Sequence, residues 1–432
     1  MPSRLVIVGA GMASGRALED ILARAPGAYD ITLFGAEPRG AYSRVLLSQV
    51  LAGEKTGDQI VIHDAAWYAA HGVTCRFGEP VVAIDRVRKM VVTEKGETPY
   101  DRLLLATGSR PLEGPSGAGR LGGVTTFRDL DDVAAMVAAA RPGARAAVIG
   151  GGPLGLEAAA GLRQRGMDVT VLHLAPRLMN RHVDDAAGAL LGRALEARGI
   201  RIRCGARTRE IFGDGAVKGV RLEDGAVVPA DLVCIALGVR PEAALAGESG
   251  LPVGRGLRVD DDMRTADPSI LGVGECVEHR GRCYGLVAPA YEMARAAAAT
   301  LAGERAPFPG ALPATRLKIA GLALFSAGDI SPGPGREEIA FRDLGRGVYK
   351  RLVIEDGRLV GVVLFGDTAD ANWFYGLMRD GDDISQIRDT LTFGPAFAEP
   401  RRGVSLVRAS TPADRAARPR PAPERAAPGP AA

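Results

Sequence analysis

Four consecutive apolar residues, Leu5-Val6-Ile7-Val8, run into Gly9, and a helix-compatible stretch follows from Met12 to about Ala25. A short apolar run closed by glycine and followed by helical periodicity predicts a buried strand, a tight turn and a helix. The pattern returns at Ala146-Ala147-Val148-Ile149, then Gly150-Gly151-Gly152-Pro153-Leu154-Gly155, then a helix from Leu156 to about Arg165. Two such units, roughly 140 residues apart and each alternating strand with helix, predict an α/β fold of doubly wound parallel sheets.

From about Thr315 the texture becomes β-rich, with strands predicted at 316–324, 337–342, 348–355 and 358–366, the last two joined by an Asp356-Gly357 turn. Helices near 369–380 and 383–390 make this a separate α+β domain. Beyond about Pro400 the chain is Arg, Ala and Pro without periodicity, which predicts a disordered tail over 401–432.

A chain of 432 residues, 47% hydrophobic and 24% charged, suits two or three domains and excludes disorder of the whole. Lys plus Arg number 54 against 51 Asp plus Glu, so the field is too weak to draw nucleic acid or a membrane surface. No apolar run reaches the length of a membrane span, and Met1-Pro2-Ser3-Arg4 leads into a strand rather than a signal peptide, so a cytoplasmic location is expected. The five cysteines, Cys75, Cys204, Cys234, Cys276 and Cys283, are odd in number and scattered, without a C-x-x-C pair. They predict thiols that are mostly buried rather than a disulfide framework, a zinc site or an iron–sulfur site.

Gly9-x-Gly11-x-x-Ser14-Gly15 puts glycine where the strand turns and where backbone must approach a pyrophosphate, with small residues left for helix packing. The helix N-terminus then supplies free N–H groups and a positive dipole end. Ile31-Thr32-Leu33-Phe34-Gly35-Ala36-Glu37 ends a strand with a carboxylate placed for ribose hydroxyls. Gly150-x-Gly152-x-x-Gly155 repeats the logic, with Glu157 one turn into the helix. Where an NAD-selective site has an acid, the second unit has His173, and Arg177 and Arg181 stand near enough in sequence to receive a 2′-phosphate, so NADH and NADPH both stay open.

Two dinucleotide cradles in one chain make chemical sense when one holds a hydride donor and the other an acceptor, because side chains do not carry two electrons reversibly. Segments 103–111 and 233–241, each a strand entering a small-residue turn, read as the crossings between the two Rossmann-like domains. In Thr265 to Cys276 a strand ends in Gly274-Glu275, where backbone approaches a sugar-alcohol chain and the carboxylate accepts its hydroxyls.

These residues, together with Glu37-Pro38-Arg39-x-Ala41-Tyr42-Ser43-Arg44, Tyr284-Gly285-Leu286-Val287-Ala288-Pro289, Lys318-x-x-Gly321, Phe325-Ser326-Ala327-Gly328-Asp329 and Leu391-x-Phe393-Gly394, carry a family likeness. The chain resembles the two-dinucleotide-binding flavoprotein reductases of glutathione-reductase-like fold. Within them it looks nearest to the flavin module of assimilatory NAD(P)H nitrite reductase large subunits and to electron-transfer subunits of assimilatory nitrate reductase. The likeness runs from residue 3 to about 397. It implies an FAD-binding domain in two parts (1–112 and 241–310), an NAD(P)H-binding domain (113–240) and an α+β interface domain (311–400) that covers the flavin and makes dimer or partner contacts.

The resemblance implies FAD along Gly9, Gly11, Ser14, Glu37, Arg44, Ala106, Thr107, Gly108, Gly274 and Glu275, with Leu286, Val287 and Ala288 by the flavin pyrimidine and Val82 by the adenine. It implies NAD(P)H on Gly150, Gly152, Gly155 and Gly238, with Glu157 close to the nicotinamide amide. Related ferredoxin reductases carry a lysine where this chain has Gln49, so Lys55 and Arg44 are the nearby candidates for the flavin contact. Residues 38–55 hold no cysteine, which argues against direct disulfide or peroxide chemistry, and Cys276, expected at the start of a buried helix, reads as packing. The siroheme and cluster modules of the full nitrite reductase are missing, so electrons are expected to leave for a separate iron–sulfur or haem protein. A rubredoxin or ferredoxin reductase serving an oxygenase, or a flavin-holding sensor of low turnover, are the rival readings.

Overall fold

The computed structural model describes residues 2–119 and 121–398, and the tail expected over 401–432 lies outside them. The first sheet has five parallel strands in the order Ile270–Gly272, Arg102–Leu105, Ser3–Val8, Tyr29–Gly35, Thr74–Phe77. Leu5, Val6 and Ile7 are buried because both faces of a parallel sheet are covered, which is why the strand reads as an unbroken apolar run. The helices Met12–Arg24 and Val287–Leu301 cover one face. The second of these buries Ala294 and Ala296 to Ala299, small residues that let the two helices approach closely.

A second five-stranded parallel sheet has the order Arg201–Cys204, Asp168–His173, Arg145–Ile149, Leu232–Ile235, Val124–Thr126. The chain leaves the first sheet after Leu105, builds the second, and returns to add Ile270–Gly272 to the first. Ser109–Pro111 pairs antiparallel with Val239–Pro241, so the outward and returning crossings run side by side.

The two units repeat even in their pins. Arg4 N–H and guanidinium hold Asp101 at 2.8 to 3.0 Å, and Arg145 holds Asp231 in the same way at 2.9 to 3.1 Å. In each case an arginine opening the glycine-bearing strand clamps the aspartate that precedes the neighbouring strand.

The last unit is an antiparallel sheet in the order Ala314–Ile319, Leu322–Gly328, Arg358–Phe365, Val348–Glu355, Arg336–Asp343, with the helix Ala371–Asp380 packed on it. Sequence pattern reads 316–324 as one strand; the structure breaks it into a hairpin at Gly321, whose φ of +69° suits glycine and reverses the chain. The helix expected at 383–390 is absent. Gly381 closes the preceding helix in the left-handed conformation, the Asp383 carboxylate takes the Ser385 N–H, and only a 3₁₀ turn, Arg388–Phe393, forms. Cys276 sits in a 3₁₀ turn, Gly274–Cys276, that leads into the short strand Val277–His279 rather than into a helix. Cys234 and Cys276 are buried, Cys75 and Cys283 half-buried and Cys204 exposed, so two of the five rather than most are buried thiols.

Candidate functional site

Both glycine turns are closed to side chains at the bend and open in front of the helix. A Cβ on Gly9 (φ +107°) would stand 2.2 Å from Ala106 O, and one on Gly150 (φ +126°) 2.2 Å from Ala236 O. Only glycine fits a backbone turning this tightly over the adjacent strand end. Gly11 and Gly152 are the N-caps of Met12–Arg24 and Pro153–Gln164, where an added Cβ would meet nothing within 4 Å. Neither helix has a side-chain cap or an acid in its first turn, so each presents unpaired N–H groups and a positive dipole end to open space. That is a fit for a pyrophosphate, twice.

The third motif position differs between the units. A Cβ on Gly155 would lie 2.0 Å from Gly150 O, so helix and turn touch through backbone. Ser14, buried, donates its hydroxyl to Gly11 O at 2.9 Å instead.

Around the first cradle, the Glu37 carboxylate accepts from Tyr42 Oη at 2.8 Å and pairs with Arg44, which also donates to Arg128 O at 2.9 Å. Burial raises the Tyr42 phenol, keeping it a donor. Ala106, Thr107 and Gly108 follow the strand Arg102–Leu105; Ala106 N–H donates to Val8 O at 2.8 Å, and the Thr107 hydroxyl to Glu242 O at 2.5 Å. Gly274 (φ +82°) backs on Ala13 in the first turn of the glycine-turn helix, and Glu275 beside it accepts from Ser109 Oγ at 2.6 Å and Arg128 Nη2 at 2.8 Å. Leu286 is the N-cap of Val287–Leu301, again without a side-chain cap or a first-turn acid. Val82, on the strand Val81–Asp85, is 49% exposed, an apolar surface left for a ring to cover.

In the second unit, Gly238 (φ +110°) accepts the Leu112 N–H at its carbonyl at 3.0 Å, and Leu237 and Leu154 are exposed. Glu157 is buried and accepts from the Lys318 N–H at 3.0 Å. Burial pushes its carboxyl up, against the charge and N–H of Lys318. Glu157, Ser48, Gln49 and Lys318 line one cavity of about 750 Å³, in which Gln49 Oε1 has no hydrogen-bond partner among the described residues. The Lys318 ammonium donates to Val45 O at 3.3 Å.

His173 Nδ1 accepts from Gly151 N–H at 3.1 Å, so the ring is fixed against the turn itself. Arg177 donates to Val183 O, Asn180 O and Asp185. Among the described residues, the Lys55 backbone N–H donates to Gln49 O, and Lys55 does not line the cavity.

Sequence reasoning missed Arg128, Ser109 and Lys318 as parts of the site. Arg128 had a local signal: its N–H is held by Asp132 while Asp129 caps the helix Leu130–Ala139, a turn that fixes where the guanidinium starts. Lys318 was marked by the Lys318-x-x-Gly321 motif, but nothing local showed that it meets Glu157, because it arrives from the last sheet. Cys276 Sγ is buried, 3.3 Å from Val273 O and 3.7 Å from Leu105 O, and burial raises its thiol, which disfavours the reactive thiolate.

The family described as pyridine nucleotide-disulphide oxidoreductase matches residues 3–301. The chain belongs to the pyridine nucleotide-disulphide oxidoreductases. As a member of that family it is an oxidoreductase that binds FAD and uses NAD(P)H. The rubredoxin NAD+ reductase C-terminal domain matches residues 313–382.

Among relatives of this oxidoreductase, the nitrite reductase [NAD(P)H] of Bacillus subtilis (strain 168) is 45% identical over 385 residues, covering 89% of this chain and 48% of the relative. The assimilatory nitrate reductase electron transfer subunit of the same organism is 40% identical over 400 residues, covering 91% of this chain and 52% of the relative. The chain thus spans about half the length of these relatives. The reductase of a covalent putidaredoxin reductase–putidaredoxin complex superposes with a TM-score of 0.81 at 29% identity, covering 91% of this chain and 99% of that one. All five cysteines of this member are free, and no described helix is long and apolar enough to cross a membrane.

Proposed function

We propose that this oxidoreductase passes electrons from NAD(P)H through FAD to a separate iron–sulfur or haem protein of nitrate or nitrite assimilation in the cytoplasm. The observation that carries the reading is the pair of uncapped helix N-termini behind glycine turns, joined in one chain that aligns with half of a nitrite reductase and half of a nitrate reductase electron-transfer subunit.

In this reading the flavin half comprises residues 1–112 and 241–310, the nicotinamide half 113–240, and 311–400 the interface unit that meets a partner or a second copy. Gly9, Gly11 and Ser14 give the first pyrophosphate its N–H groups, and Glu37, held by Tyr42 and Arg44, accepts the adenosine ribose hydroxyls. Ala106 to Gly108, Gly274 and Glu275 line the ribityl side, Val82 covers the adenine, and the N-terminus at Leu286, Val287 and Ala288 places a positive dipole end by the pyrimidine.

Gly150, Gly152, Gly155 and Gly238 hold the nicotinamide nucleotide, and Glu157 accepts the carboxamide N–H. Bound FAD supplies the ability to take a hydride from the nicotinamide and to release electrons singly. The protein's part is orientation and exclusion of water, and hydride transfer itself needs no side-chain acid or base.

A rubredoxin or ferredoxin reductase is the second reading, favoured by the match at residues 313–382 and by the superposition on putidaredoxin reductase. Rapid mixing of the FAD-loaded protein with NADH and NADPH tests the shared chemistry through bleaching of the flavin band. Titration of the reduced protein with a cognate nitrate or nitrite reductase, against a small ferredoxin or rubredoxin, separates the two. Faster reoxidation by the small carrier overturns the assimilatory assignment, and a colourless protein that takes up no flavin overturns both.

A further inference from the structure

The carbonyl of Gly151, in the middle of the second glycine turn, accepts the Met179 N–H at 2.9 Å. The peptide that follows is trans, so a Gly151 carbonyl fixed on Met179 turns the Gly152 N–H the opposite way, at a residue where an added Cβ would meet nothing within 4 Å. That N–H counts for more here than its counterpart in the first cradle. Pro153, at the first position of the helix Pro153–Gln164, has no N–H to offer, and the Gly151 N–H is spent on His173 Nδ1. Among the described residues, no backbone bond of this kind closes on Ala10, the matching residue of the first turn.

Met179 makes this bond from a left-handed conformation, φ +48°, which a non-glycine residue keeps only where its surroundings hold it. Its side chain is buried with Leu178 and Val183 in an apolar cluster that also takes in Tyr349 and Phe365 of the last sheet. The Met179 carbonyl accepts the His182 and Val183 N–H groups at 2.7 and 3.1 Å, and Arg177 staples the same turn through Asn180 O and Val183 O. The turn ends at Asp184, which divides its two carboxylate oxygens. Oδ1 takes the Ala187 N–H at 3.2 Å and caps the helix Asp185–Glu196, while Oδ2 takes the Tyr349 hydroxyl at 2.5 Å and lies 3.9 Å from Arg351 Nε. Tyr349 and Arg351 are both buried on the strand Val348–Glu355, where Glu338 and Ile330 O fix the Arg351 guanidinium.

Resting on the assignment of this cradle to the nicotinamide nucleotide, we propose that Tyr349 is a positioning residue for it: through Asp184 and the Met179 turn, a side chain of the last sheet sets the aim of the Gly152 N–H at the pyrophosphate. A hydrogen bond weakens steeply as its angle closes, so a donor free to swing contributes little. A turn held from both sides keeps the donor aimed before the nucleotide arrives, and binding then loses less to ordering.

The test is calorimetric binding of ADP-ribose, which carries the pyrophosphate without the nicotinamide, to the FAD-loaded full-length protein, with thermal melts alongside. Tyr349→Phe removes the hydroxyl alone and is expected to weaken ADP-ribose by about 5- to 10-fold, while FAD retention and the rate of flavin bleaching at saturating NADH or NADPH hold. Asp184→Asn keeps the helix cap, so it reads the same tie should Tyr349→Phe not fold, and a similar loss is expected. The two substitutions together are expected to weaken binding little more than either alone, because both cut one connection. A melting temperature that falls while ADP-ribose affinity stays put marks a purely structural bond and overturns the proposal, and so does a bleaching rate at saturation that falls as far as the affinity. Failures separate in the unsubstituted protein: if it binds no ADP-ribose and neither nucleotide bleaches it, the nicotinamide assignment falls, whereas binding and bleaching that the substitutions leave unmoved sink this inference alone.

Discussion

Arg128 and Glu275, 147 residues apart in the chain, meet as an ion pair with Nη2 to Oε2 at 2.8 Å. One comes from the turn before a helix of the second unit and the other from the last strand end of the first, so the pair ties the two halves together at the proposed ribityl side of the flavin. Ser109, on the outward crossing, donates to the same carboxylate oxygen.

Replacing Glu275 by Ala removes the acceptor of both donors and leaves Arg128 facing no carboxylate. FAD retention is expected to weaken by about 10- to 100-fold, from the 1.5–3 kcal/mol typical of a hydrogen bond to a charged group. Flavin absorbance remaining after desalting reads this directly, and retention equal to the unsubstituted protein would remove Glu275 from the site.

Gly155→Ala and Gly152→Ala separate fold from binding within one motif. The first puts a Cβ 2.0 Å from Gly150 O and is expected to destabilise by roughly 1–3 kcal/mol or more, as overpacking does. The second adds a methyl in open space at the N-cap, so the melting temperature is expected to hold while nucleotide affinity falls. Thermal melts and NAD+ titration of the pair check both; equal melting temperatures would contradict the backbone contact.

Asp231 is held down to about 2, chiefly by the Arg145 guanidinium and then by its N–H. A depressed carboxylate contributes stability that is present above its unfolded pKa near 3.9 and is lost as pH falls towards the folded value. Solvent screening limits this pair to about 1 kcal/mol. Asp231→Asn is expected to lower stability at pH 7 by that amount and to flatten the loss between about pH 4 and pH 2. Chemical denaturation across that range measures it.

Glu157 carries the opposite sign. Its folded pKa is raised by burial, so the folded state binds the proton more tightly and stability falls as pH rises through the interval above the unfolded value. Glu157→Gln is expected to raise the melting temperature at pH 7 but not at pH 4, while nicotinamide binding weakens. A substitution that stabilises equally at both values would show that the carboxylate carries no burial penalty.

Much of the fold was legible because it is written in local pattern. The runs at 5–8 and 146–149 are apolar on both faces because parallel strands are covered on both, and the glycines after them sit where positive φ admits nothing else. The hairpin at Gly321 was misread as one strand because Ala320 interrupts neither apolar character nor β propensity; only the left-handed glycine breaks it. The 383–390 segment lost its helix to a competing side-chain bond, Asp383 to Ser385, which periodicity does not register.

Sequence by itself determined the two strand–turn–helix cradles, their glycines and the carboxylates at Glu37 and Glu275, since each depends on neighbours a few residues away and on rules of backbone geometry. Only the tertiary structure decided that Arg128 reaches Glu275, that Lys318 arrives over Glu157 from a different sheet, and that Arg177 pairs with Asp185. Long side chains go where distant segments leave charge and carbonyls to meet them, and those segments become neighbours only when the separate sheets pack together.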